Sequence, residues 1–301
     1  MTILVTGASG FLGSKVVEKL AESGENVISI SRRYPSLALS KASLNIQWIK
    51  HDLSVKCLDP KSLPDFKAVI HLAGKKEIVD KKLDSFLLNN ELSTLKLLQS
   101  ISHKTELFIF ASSQMVYGNI VNLSVNEDLP LRPEDSAYAC SKVNSENWLK
   151  YFQKLNAGRY LSLRFCGFID GGGFIDYVIN QAFLDKTIML YSNGNVQRDY
   201  ISSTNAIDLL MAASNFKGKP GFYPINVGSG QGLTSLEIAR FVCNELDSKS
   251  KIKLINLEAP KNNFIFCIDR AKKLLDFKPD NLKNSINHYI RKRILENEAR
   301  K

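Results

Sequence analysis

The chain has 301 residues, 44% hydrophobic and 23% charged, with 40 Lys and Arg against 30 Asp and Glu for a net charge of +10. That is the make-up of a globular protein able to bury a sizeable core, and no run approaches the roughly 20 apolar residues of a membrane span. The five cysteines form no C-x-x-C pair and the four histidines lack ligand spacing, so neither a disulfide framework nor a metal site is expected. The basic residues fall in short scattered groups such as "KKEIVDKK" (75–82) and Arg291–Arg293, the pattern of solvated helix faces and not of a nucleic-acid stripe.

The first ten residues, "MTILVTGASG", enter an apolar strand directly, with nothing resembling a signal peptide, and a cytoplasmic location is expected. "TGASGFLG" then puts Gly7, Gly10 and Gly13 at the turn from that strand into an amphipathic helix. Glycines allow the tight turn and close backbone approach, and the free N–H groups of the helix start form an anion site for a dinucleotide pyrophosphate. The second strand, "NVISI", ends in Ser31, Arg32 and Arg33. A carboxylate there would hold the ribose hydroxyls of NAD, whereas a guanidinium can grip the extra phosphate of NADP. NADP is expected, with NAD the alternative; two solvated loop arginines are the bland account.

Strand-like "IQWIKHDL", "AVIHLAG", "LFIFASS" and "YLSLRF" follow, separated by helix-length segments that include "SFLLNNELSTLKLLQSI" and the stretch after Ala137. Such alternation implies right-handed crossovers and a Rossmann-type doubly wound parallel sheet, an α/β fold. After Phe165 the pattern becomes irregular, then regains a helix at Asn205–Ser214 and a strand at Phe222–Val227. The expected division is a dinucleotide-binding domain over 1–165, completed by about 204–228, and a small substrate-binding lobe from 166–203 and 229–301. Tyr138 and Lys142, four apart, share one helix face. A phenol of pKa about 10 is a poor base near neutrality unless an ammonium stabilises its phenolate.

The glycine spacing, "HDL" at His51–Leu53, "HLAG" at His71–Gly74 and "YACSK" at Tyr138–Lys142 resemble the extended short-chain dehydrogenase/reductase family, in its nucleotide-sugar epimerase and dehydratase branch. The resemblance runs with gaps from Met1 to about Pro279. It implies cofactor contacts from Phe11, Leu12, Leu53, Leu72, Ala73 and Gly74, with Asp52 on the adenine amino group and Asn90 supporting the active-site helices. It selects Ser113, four residues before Tyr117, as the hydroxyl that hydrogen-bonds the reacting sugar oxygen while Tyr138 transfers its proton and Lys142 holds the nicotinamide ribose. Dehydratases of the family carry Asp and Glu where this chain has Gln114 and Met115; an amide and a thioether cannot exchange protons usefully, so that branch is excluded.

The segment "YSNGNVQRDYI" implies a substrate diphosphate contact from Arg198, and "DRAKKLLDFKP" a substrate contact from Arg270, equally readable as a surface arginine. The family's Asn after the sixth strand is missing near Gly167, its "GPG" reads Asp170–Gly173, and its "VDD" reads Ser203, Thr204 and Asn205. The implied activity is NADPH-dependent reduction of a 4-keto-6-deoxyhexose nucleotide. The alternatives are a 4-epimerase with tightly held NAD and, less favoured, an inactive cofactor sensor. A homodimer through Ser85–Ser100 and Ala137–Gln153 is also implied.

Overall fold

The computed structural model describes residues 2–34, 45–76, 83–119, 124–257 and 263–299; most of the basic stretch 75–82 lies outside them. β1 (Thr2–Thr6), β2 (Asn26–Ser31), β3 (Ile46–Lys50), β4 (Phe66–His71), β5 (Leu107–Ser113), β6 (Arg159–Phe165) and β10 (Gly221–Val227) form one sheet in the order β10-β6-β5-β4-β1-β2-β3. All six pairings are parallel. The strands read as near-continuous apolar runs because helices cover both faces. The order reverses between β1 and β4, and that switch point opens a crevice at the strands' carboxyl ends.

On one face, α1 (Gly13–Glu22) and α6 (Ser203–Ala213) bury Val16, Val17, Leu20, Leu209 and Leu210 against Ile3, Val5, Ile109 and Leu163. On the other, α3 (Ser93–Ile101) and α4 (Ala137–Asn156) bury Leu97, Leu98, Leu149 and Phe152 against Leu4, Val69, Phe108 and Phe110. The residue alternation Phe108, Phe110, Ser112 therefore faces α4. The helix expected over "SFLLNNELSTLKLLQSI" is not uniform. A short α2 (Leu83–Phe86) runs into a π-helical turn, Leu87–Leu92, before α3. One extra residue is accommodated there.

A second core collects Ile175, Val178 and Ile179 of α5 (Phe174–Phe183), Ile188 and Leu190 of β8 (Ile188–Leu190), Ile238 and Val242 of α7 (Ser235–Glu245), and Ile286 and Ile290 of α9 (Leu282–Glu298). Small sheets frame it: β7 (Gly167–Phe168) and β11 (Gly232–Thr234) flank β9 (Gln197–Ile201), while β12 (Ile252–Leu254) pairs β8. Phe264, Phe266 and Ile268, together with Ala271 and Leu275 of α8 (Asp269–Leu275), pack instead with the core of the large sheet. No helix among the described residues is long and apolar enough to cross a membrane.

Candidate active site

Gly7, the residue after β1, lies in the left-handed region at φ +66°, and a Cβ there would stand 2.7 Å from the backbone nitrogen of Ala73. A Cβ on Gly13 would collide with the carbonyl oxygen of Gly7. The turn after β1 thus lies directly on the chain leaving β4, and no side chain fits between. Gly7, Gly10, Ser31, Arg32, Arg33, Asp52, Leu53, Leu72, Ala73 and Gly74 all line one cleft of about 890 Å³, a volume suited to a cofactor. With its glycine turn and the N-terminus of α1, this cleft fits a dinucleotide.

Phe11, Leu12 and Gly13 complete the turn but do not line the cleft. Phe11 stacks edge-on against Phe168, with centroids 5.6 Å apart, and the ammonium groups of Lys15 and Lys76 stand 5.1 and 5.2 Å from its ring. At the cleft's rim, Arg32 and Arg33 are exposed. Arg32 Nη1 donates to Asn89 Oδ1 at 3.2 Å; Asn89 also lines the cleft and was not among the expected residues. Burial pushes the Asp52 carboxyl up, but hydrogen bonds from Ser54 and the nearby Arg32 more than offset this and leave it below its usual value.

Lys142, only 5% exposed, donates from Nζ to the carbonyl oxygen of Ala111 at 2.7 Å. Its ammonium lies 4.6 Å from the Phe110 ring centroid and 5.9 Å from that of Tyr138. A Cβ on Gly74 would lie 3.4 Å from Lys142 Nζ and 3.1 Å from Asn90 Oδ1, so the missing side chain opens the cleft wall toward both groups. Burial brings the Lys142 ammonium down to about 8, although Glu146 opposes the shift. Tyr138 is half-buried at the start of α4, edge-on to Phe86 at 6.0 Å. Ser113 ends β5, and its Oγ accepts from Met115 N at 3.2 Å, capping the short 3₁₀ turn that follows.

Asn90 faces inward from the π turn, accepting from Lys75 N at 2.7 Å and donating to Ser141 Oγ at 3.0 Å. Behind it, Thr94 donates to Asn90 O, which leaves the Thr94 oxygen to accept from His71 Nε2 at 2.9 Å. His71 Nδ1 then accepts from Thr6 at 2.6 Å. Burial, helped by Lys142, holds His71 down at about 3, so this relay runs through a neutral imidazole.

At the expected substrate end, Arg198 is half-buried on β9. Arg270 donates to Asp128 at 2.9 Å and to Pro224 O at 3.2 Å, with Glu127 3.7 Å away. A substrate contact would have to release those bonds. Neither arginine lines the cleft. Two of the departures from the family pattern, Asp170 and Ser203, prove to be partners. Asp170 accepts from the backbone N–H and hydroxyl of Ser203 and faces Lys15, while Asn205 and Asp280 exchange two hydrogen bonds. Sequence reasoning missed the carboxylate of Glu146, fully buried one turn beyond Lys142 and bound by Arg164. A charged residue inside the apolar run "YLSLRF" was the available signal.

A model of the NAD dependent epimerase/dehydratase family matches residues 3–228. The chain is 27% identical over 295 residues to a dTDP-4-dehydro-6-deoxyglucose reductase of Escherichia coli, covering 92% of each protein. It is 24% identical over 310 residues to a UDP-glucose 4-epimerase of Streptococcus mutans, covering 93% of this chain and 92% of that one. Among solved structures, a UDP-glucuronic acid 4-epimerase from Bacillus cereus in complex with UDP-glucuronic acid and NAD superposes with a TM-score of 0.81 at 25% identity, covering 97% of this chain and 99% of that one. Because the matched span runs from the glycine turn through β10, and so takes in Ser113, Tyr138 and Lys142, the chain belongs to the NAD dependent epimerase/dehydratase family.

Proposed function

We propose that the protein is a nucleotide-sugar oxidoreductase acting at carbon 4 of the hexose, in the direction of reducing a 4-keto-6-deoxyhexose. The observation that carries this reading is the buried Lys142 ammonium, set beside the Tyr138 ring and opening through Gly74 onto the cofactor cleft. When bound, the nicotinamide supplies the hydride that carbon 4 takes up. Tyr138 gives its proton to the carbon 4 oxygen, so that the ketone becomes a secondary alcohol. Ser113 donates a hydrogen bond to that oxygen, and Lys142 stabilises the resulting phenolate and holds the nicotinamide ribose. Arg198 is assigned to the substrate diphosphate, with the sugar nucleotide against segments 166–203 and 229–301 and the dinucleotide against 1–165 and 204–228.

NADPH is assigned because β2 ends in Ser31, Arg32 and Arg33 without a carboxylate. Replacing Arg32 and Arg33 together with alanine should weaken NADPH roughly tenfold or more and leave NADH nearly unchanged, since each charge-assisted bond contributes about 1.5–3 kcal/mol. Titration of both nucleotides by fluorescence checks this. A second reading, a 4-epimerase with tightly held NAD, draws support from the epimerase relatives and from the NAD in the Bacillus cereus enzyme. Mass analysis of nucleotide released from the purified protein separates the two: retained NAD favours epimerisation, and exchangeable NADPH consumed by a nucleotide-linked keto sugar favours reduction.

A homodimer through Ser85–Ser100 and Ala137–Gln153 is part of the proposal. Leu87, Leu88 and Tyr151 are exposed there, whereas Phe152 turns into its own core. Light scattering at micromolar concentration should give twice the chain mass.

A further inference from the structure

We infer that Glu146 is a positioning residue that registers the helix carrying Tyr138 and Lys142 on the strand that ends at Ser113. The inference rests on the reading of those three residues given above. Its basis is a pair of cross-links one helical turn apart. Lys142 reaches the carbonyl of Ala111 at 2.7 Å, and Glu146 Oε1 accepts from the hydroxyl of Ser112 at 2.7 Å. These are the two residues that immediately precede Ser113, so α4 grips β5 just before the candidate hydroxyl.

The same carboxylate is held from the neighbouring strand. Ser162 donates to Oε1 at 2.8 Å, and Arg164 donates from Nε to Oε1 at 3.0 Å and from Nη2 to Oε2 at 2.7 Å. Ser112 is the register partner of Arg164, and Phe110 that of Ser162, so all these donors sit on the sheet face beneath α4. Arg164 is fixed in turn, donating to Tyr117 OH at 2.8 Å, and Tyr117 donates to Asn226 at 2.6 Å. Glu146 and Arg164 are 0% and 3% exposed. A buried ion pair of this geometry could by itself serve packing alone; what points to the site is that one bond goes to the residue adjoining Ser113 and that Lys142 lies one turn away on the same helix face.

The arrangement also sets charge. Tyr138 and Glu146 face Lys142 from its own helix, His71 faces it from β4, and Arg164 approaches through Glu146 from β6. Along the helix axis Glu146 is about 6 Å from Lys142 and about 12 Å from Tyr138. Removing its charge therefore acts mainly on Lys142, loosening the ammonium's proton and with it the support for phenolate.

Two matched variants test the positioning. Ser112→Ala and Ser162→Ala each remove one buried hydroxyl from the same oxygen and should lower the melting temperature alike. Only Ser112→Ala should lower kcat, by roughly tenfold with KM unchanged, because small misplacements at a reacting centre are costly. The charge is tested in cofactor-free protein by following the Lys142 side-chain resonance of each protein against pH, assigned with a Lys142→Met counterpart. In Glu146→Gln the Lys142 midpoint should move down, because the Glu146 carboxylate opposes the shift that burial causes. Equal kcat in the two serine variants, or an unmoved midpoint in Glu146→Gln, overturns the inference. Full turnover in Tyr138→Phe alone would instead remove the proposed function, and the Lys142 titration would still read the link between Glu146 and Lys142.

Discussion

Tyr138→Phe should lower kcat by roughly 10²- to 10⁴-fold, the range that a single positioned proton donor contributes, while nucleotide binding persists. The cleft that fits the dinucleotide is lined by the loops after β1 to β4 together with Asn89 and Ser93, and not by Tyr138, so the phenol oxygen can be deleted without altering the cradle. The ring itself stays, and with it the edge contact to Phe86. Steady-state turnover alongside a nucleotide titration distinguishes loss of a proton carrier, with kcat falling alone, from damage to the fold, with both falling.

Lys142→Met should cost nearly all activity and yet stabilise the protein at neutral pH. Burial lowers the Lys142 ammonium from 10.5 to about 8, so the unfolded chain holds that proton more tightly than the folded one. Below about pH 8 both states are protonated and the folded state bears the full cost of the buried charge, on the order of 3 kcal/mol. Between about 8 and 10.5 the folded protein sheds the proton first and the cost fades. Methionine forfeits the bond to the Ala111 carbonyl, about 1 kcal/mol, which leaves a net gain of about 2 kcal/mol and a melting temperature higher by a few degrees. Melting curves should therefore differ most below pH 8 and converge as pH approaches 10.5. A variant less stable at pH 7 would mean that Lys142 is held by more than it costs to bury.

The glycine turn and the Tyr138–Lys142 spacing were legible because each is a local pattern whose residue types have a direct backbone or chemical reason. Arg32 could be placed at a strand end for the same reason, whereas Asp52 followed only from the family resemblance. Glu146 was not found, since its partners Ser112, Ser162 and Arg164 lie on two strands and meet it only when α4 packs on the sheet. Asn89 was missed because nothing in "NNEL" reveals a π turn, which has no distinctive residue type. Asp170 and Ser203, each odd when set alone against the family pattern, make sense together only through the hydrogen bonds that join them across 33 residues.

The π turn at Leu87–Leu92 gives its helix a phase adjustment. Asn89 and Asn90 are consecutive, and in a regular α-helix they would keep a fixed angular relation to everything in α3, about 100° per residue. Excising one residue between Leu87 and Leu92 would leave a tidier helix with better hydrogen-bond geometry of its own. It would also rotate the preceding turn by that same angle relative to Ser93–Ile101. With α3 still seated on the sheet, Asn89 could no longer be aimed at Arg32 while Asn90 spans Lys75 and Ser141. Local regularity is given up here so that two adjacent side chains address two separate loops, one at the Arg32 rim of the cleft and one leading toward Tyr138 and Lys142.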